Sequence, residues 1–175
     1  KDGRNIWKFD GSTNYISISD CDSWNVYNEN FSICVWIKPD ISQHFGILGQ
    51  CESTTTHEFE VYYNKDTYFI GIYARTSGSL TFYYLGYVTL STGIWYHITI
   101  VRNGAVCIMY LNGNSIPVTI HTAFSTTINV SAPLQIGKIL SALYTNGNIK
   151  DLMIFKGRAL TQDQITAIMA ETYIY

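Results

Sequence analysis

The sequence predicts an all-β protein in which short antiparallel strands form two packed sheets, with one short helix near the C-terminal end. Three observations carry this. The 175 residues include 14 Tyr and 8 Phe, with many Thr, Ser and Ile, a mixture that favours extended structure. Alternating apolar and polar side chains recur between short turns rich in Asn, Gly, Asp and Ser. A helix signal occurs in a single stretch. About a dozen strands in one chain resolve most simply into two sheets around one core.

Asn5 to Phe9 reads as a first strand, closed by the Asp10-Gly11 turn. Asn14 to Ser19 sets Tyr15, Ser17 and Ser19 against Ile16 and Ile18, as a half-buried strand does. Asp20 to Asn30 is mostly polar and loop-like. Phe31 to Ile37 is apolar on both registers and is placed centrally, ended by Lys38-Pro39-Asp40 because proline cannot continue a central ladder. Ile47-Leu48 is a short strand and Ser53 to Thr56 a polar loop. Three strands follow on short turns: Glu58 to Tyr63, Tyr68 to Arg75, and Leu80 to Tyr84. They predict an antiparallel meander.

Trp95 to Val101 and Val106 to Leu111 flank Asn103-Gly104, a two-residue hairpin signal. Asn112-Gly113 makes the next turn and Ser115 to Thr122 a further strand; Phe124 to Val130 reads as irregular. Leu134 to Ile139 is strand-like, and Ser141 to Asn146 loops into a closing strand, Asn148 to Phe155. Gly157 breaks that strand. Thr161 followed by Gln164 is a capping box, which places the helix near residues 161–170. Ile165, Ile168 and Met169 make one apolar stripe on it. The expected arrangement lays this helix on a sheet edge, with the closing strand beside the opening one. Residues 1–175 form one domain by length.

With 47% hydrophobic and 14% charged residues, disorder is excluded. A net charge of −2 with no basic run gives no support for a nucleic-acid partner. No apolar stretch is long enough for membrane insertion as a helix. The Lys1 start suggests a processed chain or part of a larger chain or assembly. Cys21, Cys34, Cys51 and Cys107 are spaced too irregularly for a zinc ribbon or a redox CxxC pair. Cys34 and Cys107 lie in apolar runs, where buried thiols and a disulfide are both open readings. Cys21 and Cys51 lie nearer loops, as a Cys21–Cys51 bridge would require. Asn30 and Asn129 head sequons that matter only in a eukaryotic secretory pathway.

The ordered motifs resemble laminin-G-like, concanavalin A-like jelly rolls of the pentraxin-related superfamily. Phe9-Asp10-Gly11 with Tyr15-Ile16 resembles their opening, and Phe31 to Pro39 their next signature strand. Trp95-Tyr96-His97-Ile98 is similar to their Trp-His strand, and Tyr110-Leu111-Asn112-Gly113 to their Leu-Asn-Gly hairpin. Leu134-Gln135-Ile136-Gly137, Gly147-Asn148-Ile149, Arg158-Ala159-Leu160-Thr161 and Gln164-Ile165 complete the set. The resemblance implies a two-sheet antiparallel jelly-roll sandwich. Pentraxins pair the cysteine of the first signature strand with one in the Trp-His strand; here that place is Thr99, so the pentraxin bridge is not carried over, and a Cys34–Cys107 link across the hairpin stays an open reading. Relatives carry a structural calcium, but Lys150 stands where the acidic ligand would follow Ile149, with Asp151 one residue later, and argues against that site. No other cofactor is implied.

Related glycoside hydrolases need paired carboxylates. Glu58 and Glu60 supply two of a three-member acidic motif, and Tyr63 holds the third place, so an enzyme is not expected. No Ser-His-Asp order, phosphate loop or HExxH is present. The resemblance instead implies a recognition or adhesion module. The meander's polar face offers Glu58, Glu60, Tyr62, Tyr73, Arg75, Thr81 and Tyr83, groups that suit a saccharide's hydroxyls and CH faces. They also suit a flat protein interface, or a solvated strand face with no ligand. The expected partner is therefore a glycan or a surface protein, and the expected location extracellular or on a virion surface. The alternative is a decoration domain of a virion, phage fibre or surface assembly.

Overall fold

The computed structural model describes residues 6–24, 26, 28–53, 57–125, 129–139 and 143–172. Among the described residues there are fifteen strands and one α-helix, and thirteen of the strands build two large antiparallel sheets. The six-stranded sheet contains β1 (Trp7–Asp10), β15 (Asn146–Lys156), β3 (Phe31–Pro39), β8 (Tyr96–Asn103), β9 (Val106–Leu111) and β10 (Asn114–Ile116), in that order. The seven-stranded sheet runs β11 (Val118–Thr122), β7 (Ser79–Tyr87), β6 (Phe69–Thr76), β5 (Glu58–Asn64), β4 (Phe45–Cys51), β12 (Leu134–Ile136), β2 (Ile16–Ile18). β13 (Lys138–Ile139) and β14 (Leu143–Tyr144) pair only with each other, as a small hairpin. The two-sheet antiparallel sandwich and the closing strand beside the opening one are as the sequence predicts, with Trp7 opposite Ile149.

Alternation decides what lies between the sheets. Phe31, Ile33, Val35 and Ile37 of β3 face Phe59, Val61 and Tyr63 of β5, Ile70 and Ile72 of β6, and Phe82 and Tyr84 of β7 in one buried cluster. Burying such side chains stabilises by about 1.5–3 kcal/mol each. The outer face of β3 is also covered, which is why its sequence is apolar on both registers. Helix α1 (Gln162–Thr172) lies there, with Ile165 against Cys34, Val101 and Tyr110. The expectation of an edge position is thus corrected: the helix crosses a sheet face. Its capping box forms as read, the Thr161 amide donating to Gln164 Oε1 at 3.0 Å and the Gln164 amide to Thr161 Oγ1 at 3.4 Å. Buried Ser32 ties the preceding corner down, accepting from the Leu160 amide and donating to the Arg158 carbonyl, both at 2.9 Å.

Several boundaries shift for definable reasons. β3 continues through Pro39, because Pro39 pairs only with Gly147 of β15 and lies beyond the β8 pairing, which ends at Ile37–Tyr96. The predicted strand from Ser115 to Thr122 is two strands split at Pro117, one in each sheet. The predicted strand from Leu134 to Ile139 is also two. Gly137 stands between them with φ +81°, the left-handed region that favours glycine, and the chain leaves the sheet there. The expected loop from Ser141 to Asn146 contains β14. Asn5, Tyr27, Thr54 to Thr56 and the terminal Tyr173 to Tyr175 lie outside the described residues.

All four thiols are free, so neither expected bridge forms. Cys34 and Cys107 occupy opposite faces of the six-stranded sheet: Cys34 pairs with Thr99 and Thr99 with Tyr110, three residues from Cys107. Cys34 belongs to the cluster beneath the helix and Cys107 to the core between the sheets. Thr99 Oγ1 donates to Cys34 Sγ at 3.6 Å, a hydrogen bond where pentraxins have a disulfide. Burial pushes the Cys34 thiol up to about 11 and Cys107 to about 12, so both stay protonated. Asn30 Oδ1 accepts the Gly104 amide at 2.8 Å and so holds the hairpin turn, whereas Asn129 is exposed.

His97 is fully buried against Trp36, ring centroids 5.1 Å apart. Burial lowers its pKa to about 4, so the folded protein holds a neutral imidazole, while the unfolded one titrates near about 6.5. Its contribution to stability is therefore intact above the unfolded value and is lost as pH falls toward 4. Between pH 7 and 5 the loss should be about 2 kcal/mol. Urea denaturation of the wild type and of His97→Gln at both pH values checks this: the wild type should lose that much more than the variant. An identical pH dependence in both would remove His97 as the source.

Candidate functional site

Strands β5, β6 and β7 pair so that Glu58 lies opposite Arg75, Glu60 opposite Tyr73, and Tyr73 opposite Tyr83. With Phe59, Val61 and Tyr63 turned into the core, the intervening Glu58, Glu60 and Tyr62 project from the outer face of the seven-stranded sheet. Arg75 Nη1 sits 2.9 Å from Glu58 Oε1. Tyr73 Oη donates to Glu60 Oε2 at 2.5 Å, and the Tyr62 and Tyr83 hydroxyls share a hydrogen bond at 2.5 Å. The tyrosine rings pack edge to face, Tyr62 with Tyr73 at 6.0 Å and Tyr73 with Tyr83 at 5.7 Å. The Arg75 guanidinium lies 5.6 Å from the Tyr73 ring centroid.

This face is not the solvated one weighed from sequence. Glu58 is 1% and Glu60 2% exposed, and Tyr62, Tyr73 and Tyr83 are half-buried. The covering element is the β13–β14 hairpin, which folds back over β4. A side chain at Gly46 would place its Cβ 2.5 Å from the Ile139 amide nitrogen, and one at Gly49 3.2 Å from Ile139 Cγ2. Two glycines in β4 thus make the seat for Ile139. Thr145 Oγ1 donates to the Gly46 carbonyl at 2.6 Å and the Gly137 amide to the Ile47 carbonyl at 2.9 Å, which fasten both ends of the hairpin. Between hairpin and tyrosines lies a cavity of about 250 Å³, lined by Glu60, Tyr62, Tyr73, Arg75, Leu80, Tyr83, Ile139 and Leu143.

The sequence-derived set is therefore brought together, with two differences. Glu58 lies beneath Arg75 as its countercharge rather than on the cavity wall. Thr81 leaves the set: the β6–β7 register shifts around it, and its hydroxyl donates to the Ala74 carbonyl at 3.2 Å. Leu80, Ile139 and Leu143 were missed from sequence. Gly46 and Gly49 flanking Ile47-Leu48 were the signal, since glycine within a strand marks the close approach of another backbone.

Burial raises the Glu58 carboxyl above its ordinary value, and the Arg75 charge opposes that rise. Burial, reinforced by the negative charge of Glu60, pushes the Tyr73 phenol up; burial and the bond to Tyr83 do the same for Tyr62. These phenols remain neutral donors and acceptors at any physiological pH. The face thus offers apolar ring surface, hydroxyls, a carboxylate and a guanidinium in one concavity.

The profile of the concanavalin A-like lectin/glucanases superfamily, a laminin-G type, matches residues 10–166. The chain belongs to that superfamily. Among curated protein sequences none matches it. Similar solved structures include the SAP-like pentraxin of Limulus polyphemus, with a TM-score of 0.63 and 18% identity over 93% of this chain and 80% of that one. Domain 4 of the extracellular arabinanase AbnA of Geobacillus stearothermophilus, in complex with arabinotriose, gives 0.60 and 20% over 81% and 66%. The CBM40 of the Ruminococcus gnavus IT-sialidase, bound to α2,3-sialyllactose, gives 0.69 and 13% over 94% and 97%. At these identities the likeness is one of fold.

Two properties found among lectin/glucanase folds can be tested on these residues. A glucanase needs two carboxylates free to exchange protons with substrate. Here Glu58 is ion-paired, Glu60 accepts from Tyr73, and Tyr63, in the third position of the acidic motif, is buried in the core with its hydroxyl accepting from the Leu90 amide at 3.2 Å. A structural calcium needs several oxygen ligands. The Asp10 carboxylate is occupied by its own turn, accepting the Ser12, Thr13 and Asn14 amides at 2.8–3.0 Å and the Thr13 hydroxyl at 2.6 Å. These bonds hold its carboxyl well below the usual range. Lys150 is 2% exposed, its ammonium 5.2 Å from the Trp36 ring and 4.9 Å from that of Trp95. The residues present do not fit the metal, and among the described residues no three His, Cys, Asp or Glu side chains are grouped to hold one. No helix among them is long and apolar enough to cross a membrane.

Proposed function

We propose that this domain is a non-catalytic carbohydrate-binding module, acting in recognition or adhesion on an extracellular or virion surface as part of a larger chain or assembly. The observation that carries the reading is the cavity in which Tyr62, Tyr73 and Tyr83 meet Glu60 and Arg75 under the Ile139 hairpin. Aromatic rings take the CH face of a sugar, and a carboxylate and guanidinium held rigidly by neighbours bond its hydroxyls. Pre-organisation of this kind lowers the cost of binding. Two fold relatives carry bound glycans, arabinotriose and sialyllactose, which supports the class without naming the ligand.

A glycan array probed with the purified domain tests the proposal. Selective binding is expected. For the best glycan, Tyr73→Phe and Tyr83→Ala should weaken affinity by about tenfold or more, equivalent to about 1.4 kcal/mol, while thermal melting confirms the fold. A blank array, with a partner chain found to cover this face in a virion, fibre or surface assembly, would favour the decoration-domain reading instead.

A further inference from the structure

The charges around the cavity define which sugars it takes, an inference that rests on the carbohydrate reading above. Two carboxylates, Glu58 and Glu60, and one guanidinium, Arg75, face this side of the meander. Arg75 already has its countercharge within the protein. Its Nη1 is 2.9 Å from Glu58 Oε1, and Glu58 is 1% exposed. Drawing Arg75 onto a ligand's carboxylate would leave Glu58 ionised, buried and without its countercharge. Glu60 contributes a further negative charge directly on the wall. The remaining lining side chains are tyrosines and aliphatics, and His121, 5.2 Å from the Tyr83 ring, is exposed.

Size adds a second constraint. The cavity of about 250 Å³ lies below the roughly 300–1,000 Å³ of sites for drug-sized ligands. Ile139 and Leu143 wall it on the β4 side. A site of this size suits a single sugar ring better than a run of them.

We infer that the site takes a single terminal, uncharged sugar residue and discriminates against sialic and uronic acids. In this it would differ from its fold relative bound to sialyllactose. A carboxylate brought within about 6 Å of Glu60 meets a repulsion worth about tenfold in affinity at an effective dielectric between protein and water. Adding salt should weaken that repulsion and leave neutral binding unchanged.

The test is an array of matched pairs, each glycan ending in a neutral hexose printed beside the same glycan ending in the corresponding uronic acid, and each sialic-acid-terminated glycan beside its carboxyl-reduced form, followed by calorimetry on the best pair at low and high salt. The neutral member is expected to bind at least about tenfold tighter, with the gap closing as salt rises. Glu60→Gln, which keeps an acceptor for Tyr73, should narrow the gap. Acidic members that bind as well as or better than neutral ones would overturn this inference and leave the carbohydrate reading standing. An array blank for every pair would overturn the carbohydrate reading, and this inference with it.

Discussion

Arg75→Ala should destabilise the domain by about 2–3 kcal/mol at pH 7, and this deficit relative to the wild type should shrink on mild acidification. Arg75 is the countercharge of Glu58, whose carboxylate is 1% exposed on the outer face of β5. Removing one partner of a buried pair costs about 3–5 kcal/mol because the other charge remains. The Arg75 side chain is 36% exposed, so water relieves part of that cost and the lower figure applies. The sign of the pH effect follows from linkage. Burial already raises the Glu58 carboxyl, and loss of Arg75 removes the influence that opposes this. An acid whose folded pKa lies above its unfolded one binds its proton more tightly when folded, so stability rises as pH falls through the folded value. Urea denaturation from pH 7 to 5 should show the variant closing part of its gap to the wild type. A gap constant with pH would mean that Glu58 finds another partner.

Gly46→Ala is expected to have the second large effect, on stability and binding together. Its Cβ would lie 2.5 Å from the backbone nitrogen of Ile139, and a backbone atom cannot swing aside as the tip of a side chain can. Either the β13–β14 hairpin lifts or β4 moves, at a cost of about 1–3 kcal/mol for overpacking. Because Ile139 and Leu143 wall the cavity, a lifted hairpin would open it. Glycan affinity should then fall by about tenfold or more, out of proportion to any change in the sheet. Gly93→Ala is a suitable comparison, since nothing lies within 4 Å of its added Cβ, although its φ of +75° makes that variant strained in its own right. Calorimetry of binding beside thermal melting of both variants separates the two effects. Full affinity in a folded Gly46→Ala protein would show that the hairpin is not part of the site.

The meander's outer face was legible because alternation in a strand is a strict period of two: once Phe59, Val61 and Tyr63 are assigned inward, Glu58, Glu60 and Tyr62 have only the other side. The capping box was legible because it is local. What the sequence did not reveal depends on contacts between distant residues. The apolar run of β3 showed that both its faces are covered but not that the helix does the covering. Pro117 and Gly137, single residues within otherwise continuous strand patterns, mark where the chain leaves one sheet, and periodicity does not register such departures. The wall made by Ile139 and Leu143 escaped for the same reason, although Gly46 and Gly49 recorded its footprint. Cys34 and Cys107 looked bridgeable by sequence distance, and only the register places them on opposite faces.

The measurement that bears most directly on the account is an NMR titration of the labelled domain with the best glycan from the array. Chemical shifts should move at Glu60, Tyr62, Tyr73, Arg75 and Tyr83 and along the Ile139 and Leu143 hairpin, with the helix and the Trp36–Trp95 side of the molecule unchanged. Shifts confined to that opposite sheet, or spread along a strand edge, would contradict the assignment of the ligand to this cavity.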